Sequence, residues 1–134
     1  MKLQDSTIFI CYRTQRKSYL YIDDCIDALV DIGFRRFDSG IEIFNVGDDD
    51  QIDTNSIARI IIAQLGLQTE IRYASEQKDG RGWIGDVKNM LLSTEKLEKM
   101  GWKFNHSSKD SVSLTIENII SKLDRENHSL RHRN

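Results

Sequence analysis

Two isoleucine-rich stripes at helical spacing constrain the fold of this chain more than any other feature. Ile57, Ile60, Ile61 and Leu65 share one face of a helix that Asp53 can cap and Gly66 can end in a left-handed turn. Val112, Ile116, Ile119, Ile120 and Leu123 form the second stripe, on a helix opening near Ser107 or Ser108. Neither stripe is stable in water unless another layer covers it. Three short runs have strand character: residues 18–22, 41–46 and 69–74. After the first of these, Asp23 and Asp24 stand where a helix begins and can cap its free N–H groups. Ile26, Leu29 and Val30 then recur at helical spacing to about Phe37, and Gly40 ends the connection. Ser93 can cap a short helix carrying Leu97 and Met100, closed by Gly101. Residues 75–92 keep no period and are expected to form a long loop.

Strands alternating with helices predict an α/β chain, a small mixed sheet with flanking helices. Its 134 residues suit one domain or part of a larger one. Three short strands bury few isoleucines, so some apolar surface is expected to face a further layer. A formal charge of -2 supplies no general basic field, and nucleic acid is not expected as a partner. Apolar runs such as residues 60–63 are far too short to span a membrane, and no signal peptide is recognisable; cytoplasmic location is the expectation. Cys11 and Cys25 lack the spacing of a zinc or redox pair and suit a reducing compartment.

Several motifs fail on inspection of what their chemistry needs. Gly80 to Gly85 matches the spacing of a dinucleotide loop, but polar residues 75–79 precede it and no helical period opens before about Ser93. Asp48, Asp49 and Asp50 invite a calcium reading, yet the sixth and twelfth positions of that loop are Asp53 and Arg59, where glycine and glutamate are required. A solvated turn is the expectation there. His128 and His132 have no third ligand, and no metal is expected. The residues four places after Tyr12, Tyr19, Tyr21 and Tyr73 are Arg16, Asp23, Cys25 and Gln77, so none has the lysine that would tune it for acid/base work.

Four runs occur in one order: Lys17 to Asp24 (Lys-Ser-Tyr-Leu-Tyr-Ile-Asp-Asp), Ile43 to Gly47, Arg81 to Val87 (Arg-Gly-Trp-Ile-Gly-Asp-Val) and the pair Gly101-Trp102. Together they resemble the C-terminal, substrate-binding part of the NAD-dependent epimerase/dehydratase family, extended short-chain dehydrogenases that include UDP-glucose 4-epimerases. The resemblance runs from about Gln15 to Leu123. It implies that the dinucleotide-binding Rossmann half is absent and that residues 1–124 form a substrate-binding domain with an atypical entry over 1–14; the polar composition of 125–134 separately predicts a frayed tail. In the entry, Cys11, Tyr12 and Arg13 stand where relatives have a glycine-containing turn.

A nucleotide sugar needs cations for its diphosphate and a carboxylate for its ribose diol. The resemblance assigns the diphosphate to Lys17, with Arg16 beside it, and matches Gly85 and Asp86 to the family's Gly-Asp pair, the aspartate holding ribose. Arg81 is the matching arginine, although it lies five residues before Asp86, where the commoner pattern has it three before and this chain has Trp83. Asp24 is expected to be a helix cap worth about 1 kcal/mol. Asn45 and Gly47 are expected to build a strand-end turn, the glycine at positive φ. By the same resemblance, NAD belongs to the complete enzyme, while this chain alone carries no catalytic residue and binds no cofactor.

The implied function is therefore to hold a nucleotide sugar, a UDP-sugar by the resemblance, without acting on it alone. In the family the strand matching Ile43 to Gly47 lies against the cofactor-binding half. An exposed sheet edge and apolar patch is thus expected, or a partner over it, either a separate Rossmann half or a second copy. The alternative is a non-catalytic interaction or assembly module that kept the fold and lost the ligand.

Overall fold

The computed structural model describes residues 7–10, 15–38, 40–73, 85, 87 and 89–131. Nine elements follow one another among them: β1 (Ile8–Ile10), β2 (Arg16–Lys17), α1 (Ile22–Phe34), β3 (Ile52–Asp53), α2 (Thr54–Gln64), β4 (Ile71–Tyr73), β5 (Asn89–Met90), α3 (Glu95–Lys99) and α4 (Ser108–Arg131). The strands form two small sheets. β1 runs parallel to β4, with Ile8 opposite Ile71. In the other sheet β2 is central, antiparallel to β3 and parallel to β5.

α2 forms as its local signals dictate. Asp53 accepts from the Ser56 amide at 3.0 Å and from its hydroxyl at 2.7 Å, and Gly66 stops the helix at φ 60°. Its polar terminus is fastened to α4, Gln64 donating to the Ser113 hydroxyl at 2.6 Å. Ser107 opens α4 by accepting from the Asp110 amide at 3.2 Å, and its own amide donates to the Asp110 carboxylate at 3.3 Å. α4 then continues through the polar tail to Arg131, where fraying was expected.

Four further expectations need correction. The first strand is shorter and earlier than residues 18–22, and α1 starts at Ile22 with Tyr21 as a cap that makes no side-chain bond. Asp23 and Asp24 therefore lie inside the first turn and do not cap α1. Residues 41–46 form no strand; side chains hold this extended backbone instead, Lys96 Nζ donating to the Ile43 carbonyl at 2.8 Å and Asn45 Nδ2 to the Ser93 carbonyl at 3.0 Å. The residue preceding α3 is Thr94 and not Ser93, and its hydroxyl binds the Glu98 carboxylate. Closure at Gly101 is as expected, with φ 87°.

The main core lies between α1, the 44–46 stretch and α3. Ala28, Leu97 and Trp102 are buried there, with Ile32, Phe44, Val46 and Phe104 packed around them. Trp102 and Phe104 meet edge to face, their centroids 4.3 Å apart. α1 turns Asp24 and Ala28 inward and leaves Ile22, Ile26, Leu29 and Phe34 exposed, Phe34 at 88%. Ile41 and Ile43 are also exposed. An apolar surface of this kind was expected from the shortage of sheet.

Candidate functional site

Successive side chains of a strand point to opposite faces, so β2 separates its two cations. Arg16 lies opposite Asp53 and Asn89; Lys17 lies opposite Ile52 and Met90. Arg16 is exposed and donates from Nη2 to the Gln51 carbonyl at 3.2 Å. It lines a cleft of about 440 Å³ with Asp50, Asp53, Arg59 and Lys109. Lys17 is half-buried on the other face, beside the buried Ile52. The structure does not gather Arg16 and Lys17 on one surface.

Arg81 and Asp86 lie outside the described residues, as does most of the loop expected over 75–92. Its described flanks nonetheless approach β2. Gln15 Nε2 donates to the Val87 carbonyl at 3.2 Å, the Ser18 amide bonds the Met90 carbonyl at 3.3 Å, and Asn89 pairs with Arg16. Two residues before Val87, Gly85 adopts φ 99°, a conformation glycine takes without strain. Val87 and β5, which follow Asp86 in the sequence, thus lie against the segment that carries Arg16 and Lys17.

Asp24, read from sequence as a cap of its own helix, is a fully buried tether for a distant loop. It accepts from the Asn105 amide at 3.4 Å and Nδ2 at 3.1 Å, and from the His106 amide at 3.1 Å, and it contacts His106 Nδ1 at 3.0 Å. Asn45 does satisfy a backbone carbonyl, as expected. Gly47, by contrast, has no positive φ, and a side chain there would meet only Leu92, at ordinary contact distance.

The acidic turn is also more than a solvated loop. Asp48 is buried at 2% exposure, and its carboxyl is pushed up to about 6, by burial first and then by the hydrogen bond and charge of Asp50. Burial pushes Asp50 upward as well, but the Ser108 hydroxyl and amide and the Asp48 carboxyl outweigh it and hold Asp50 below the usual carboxylate range. With Glu98, Lys103 and His106 these residues border a cleft of about 450 Å³. A run of three aspartates signals charge, but nothing in its spacing showed that the first would be buried. Among the described residues no group of three or more His, Cys, Asp or Glu could hold a metal ion, and no helix is long and apolar enough to cross a membrane.

The chain can be compared with known proteins on this basis. No family model matches the sequence. A GDP-L-fucose synthase of Sinorhizobium fredii is 28% identical over 110 residues, covering 82% of this chain and 32% of that protein. A crystal structure of UDP-galactose 4-epimerase is 33% identical with a TM-score of 0.73, over 88% of this chain and 36% of that one. The chain is related to the sugar-nucleotide epimerases. The UDP-glucose 4-epimerase of Thermotoga maritima, solved with UDP-glucose, shares the fold at 23% identity and a TM-score of 0.69, over 88% of this chain and 36% of that one. A Thermus thermophilus UDP-glucose 4-epimerase in complex with NAD shares it at 21% identity and a TM-score of 0.61, over 84% and 34%. The resemblance to NAD-dependent epimerases and dehydratases thus stands, with the small mixed sheet and flanking helices of the extended short-chain dehydrogenase fold. This chain spans about a third of the length of the relatives it matches.

Proposed function

We propose that this chain is the nucleotide-sugar-binding, C-terminal part of an NAD-dependent sugar-nucleotide epimerase or dehydratase, working in the cytoplasm and inactive alone. The observation that carries the reading is the pairing of β5 with β2 inside a fold that matches UDP-galactose 4-epimerase. That pairing brings Asn89 and Met90, which follow the Arg81-to-Val87 run in the sequence, to the strand that carries Lys17. Lys17 and Arg81 neutralise the diphosphate, and the Asp86 carboxylate accepts from the ribose hydroxyls. Arg16, on the other face of the strand, lies outside this set and contributes only long-range charge.

Holding the nucleotide gives the complete enzyme positional advantage but performs no chemistry by itself. NAD, which supplies hydride transfer when bound, is the business of the remaining portion of such an enzyme. We assign the docking of that portion to the exposed face of α1 and the neighbouring residues Ile41 and Ile43, with pairing of two copies as the competing occupant.

Calorimetry with UDP, UDP-glucose and a GDP-sugar tests the reading, because the named relatives include both UDP- and GDP-sugar enzymes. Binding of one nucleotide class, weakened by Lys17→Ala and by Asp86→Ala, is the expected result. No heat at millimolar ligand, with both variants matching the parent, would instead identify an assembly module that has lost the ligand.

A further inference from the structure

A further cleft, of about 610 Å³, opens between the loop that follows α1, the 42–44 stretch and α3. Its floor is apolar: Phe37 and Phe44 meet with ring centroids 5.5 Å apart, and Met100 borders the same space. Its rim is cationic, with Arg35, Arg36, Lys96 and Lys99 set against one carboxylate, Glu42. In a chain of formal charge -2 this excess is a local feature and not a share of a general basic field.

Two of the four cations are fixed and two are available. Arg35 is held at the end of α1, where Nε and Nη2 donate to Asp31 Oδ2 at 2.9 and 2.7 Å and Nη1 donates to the Met100 carbonyl at 2.9 Å. Lys96 Nζ donates to Glu42 Oε2 at 2.6 Å and to the Ile43 carbonyl at 2.8 Å, and lies 4.3 Å from the centre of the Phe44 ring. These bonds meet the charge of Glu42 and brace the walls of the cleft. Arg36, by contrast, is exposed and forms no ion pair among the described residues. Lys99 pairs with Glu95 in open water, the side chains 71% and 69% exposed, a contact worth little and easily exchanged.

A partly exposed aromatic floor gains from being covered, and movable cations above it gain from an anion that is itself drawn out of water. An inorganic ion meets only the second demand and a neutral hydrophobe only the first. The volume lies in the range of small-ligand sites, roughly 300–1,000 Å³. The positive area is also bounded: the charged neighbours of Arg35 and Lys99 on their own helices, Asp31 and Glu95, are acidic, which disfavours an extended acidic segment running past the cleft.

We propose that this cleft binds a small organic anion built on an aromatic ring, the ring covering Phe37 and Phe44 and its phosphate or carboxylate group meeting Arg36 and Lys99. The site goes beyond the nucleotide-sugar reading and does not depend on it, since it shares no residue with the set around Lys17 and Asp86.

NMR titration of the ¹⁵N-labelled full chain with phenyl phosphate and with benzoate tests the site and distinguishes the two anionic groups. Saturable shifts are expected at the amides of Phe37, Phe44 and Met100 and at Arg36 Nε–H, with a Kd at or below about 1 mM for one of the two ligands. Inorganic phosphate and benzyl alcohol, each carrying half of the chemistry, should bind at least about tenfold more weakly. The double variant Arg36→Ala, Lys99→Ala removes exposed side chains; it should melt like the parent, bind the aromatic anion about tenfold more weakly and keep the parent's response to UDP-glucose. Phe37→Leu, apolar but not aromatic, should weaken the aromatic anion and leave inorganic phosphate unchanged. Four results would each overturn the proposal: no saturable shift at about 10 mM of either ligand, inorganic phosphate binding as well as phenyl phosphate, undiminished binding in the double variant, or a glutamate-rich peptide binding about tenfold more tightly than both ligands. A changed UDP-glucose response in the double variant would also overturn it, by merging the cleft with the nucleotide-sugar site.

Discussion

Asp24 contacts both the amide and the imidazole Nδ1 of His106, at 3.1 and 3.0 Å, and so joins the first turn of α1 to the loop that leads into α4. The carboxylate is fully buried and also takes both Asn105 donors. Removing it leaves four donor contacts to a buried carboxylate unmade at once, which costs more than a lost cap. Asp24→Ala is expected to lower unfolding free energy by about 3 kcal/mol, against about 1 kcal/mol for a cap residue. Urea denaturation decides between these, and an unchanged denaturant slope would confirm that the same surface is being unfolded.

Asp53 gives the contrasting case of a local cap. Asp53→Ala should cost about 1 kcal/mol and reduce helical signal, whereas Asp53→Ser, which keeps an acceptor oxygen, should recover most of it. Thermal melts of both variants followed by circular dichroism check the order.

The carboxylates of this fold pull stability in opposite directions with pH. Asp50 and Asp53 titrate below the usual range, so their contribution is complete above about pH 4 and is lost as pH falls through their folded values. Asp48 titrates above it, at about 6; the folded state then binds more protons than the unfolded one from about pH 4 upward, and stability declines as pH rises to that value. The melting temperature should therefore peak near about pH 4 to 5 and fall toward neutrality. Asp48→Asn should remove the decline on the neutral side while leaving the acid limb in place.

Three of these four aspartates also show which parts of the structure were legible in the sequence. Asp53 and α2 could be read because cap, apolar stripe and terminal Gly66 all lie within one helix. Asp24 could not, since its partners stand 81 and 82 residues away and a local cap explained it equally well. Asp48 resembled a solvated turn because burial is a property of the surrounding layers and not of the run itself. Residues 41–46 have strand composition, yet composition cannot supply a neighbouring ladder, and Lys96 and Asn45 satisfy that backbone from the side. The placement of Arg16 and Lys17 on opposite faces follows from the register of β2, which the order of the motifs does not carry.

That register separates the two cations in a binding experiment. Lys17→Ala should weaken nucleotide-sugar binding about tenfold, close to 1.4 kcal/mol, whereas Arg16→Ala should change it by less than about twofold. Calorimetry at one fixed ionic strength keeps general charge effects equal in the two variants. Equal losses would place the ligand between the faces and discard the assignment to Lys17.

The outer face of α1 should behave as an interface that is uncovered when the chain is alone. Leu29 and Phe34 are 60% and 88% exposed, so charged replacements there leave no cavity and should alter stability by less than about 0.5 kcal/mol. The same replacements place uncompensated charge in any apolar contact formed across that face, where they should be strongly disruptive. The double variant Leu29→Lys, Phe34→Lys is expected to melt like the parent while losing association with a co-expressed dinucleotide-binding half. Sedimentation across a concentration series distinguishes the occupants: parent dimers that disappear in the double variant would assign the face to a second copy. A parent that stays monomeric but binds the other half would assign it to the rest of the enzyme.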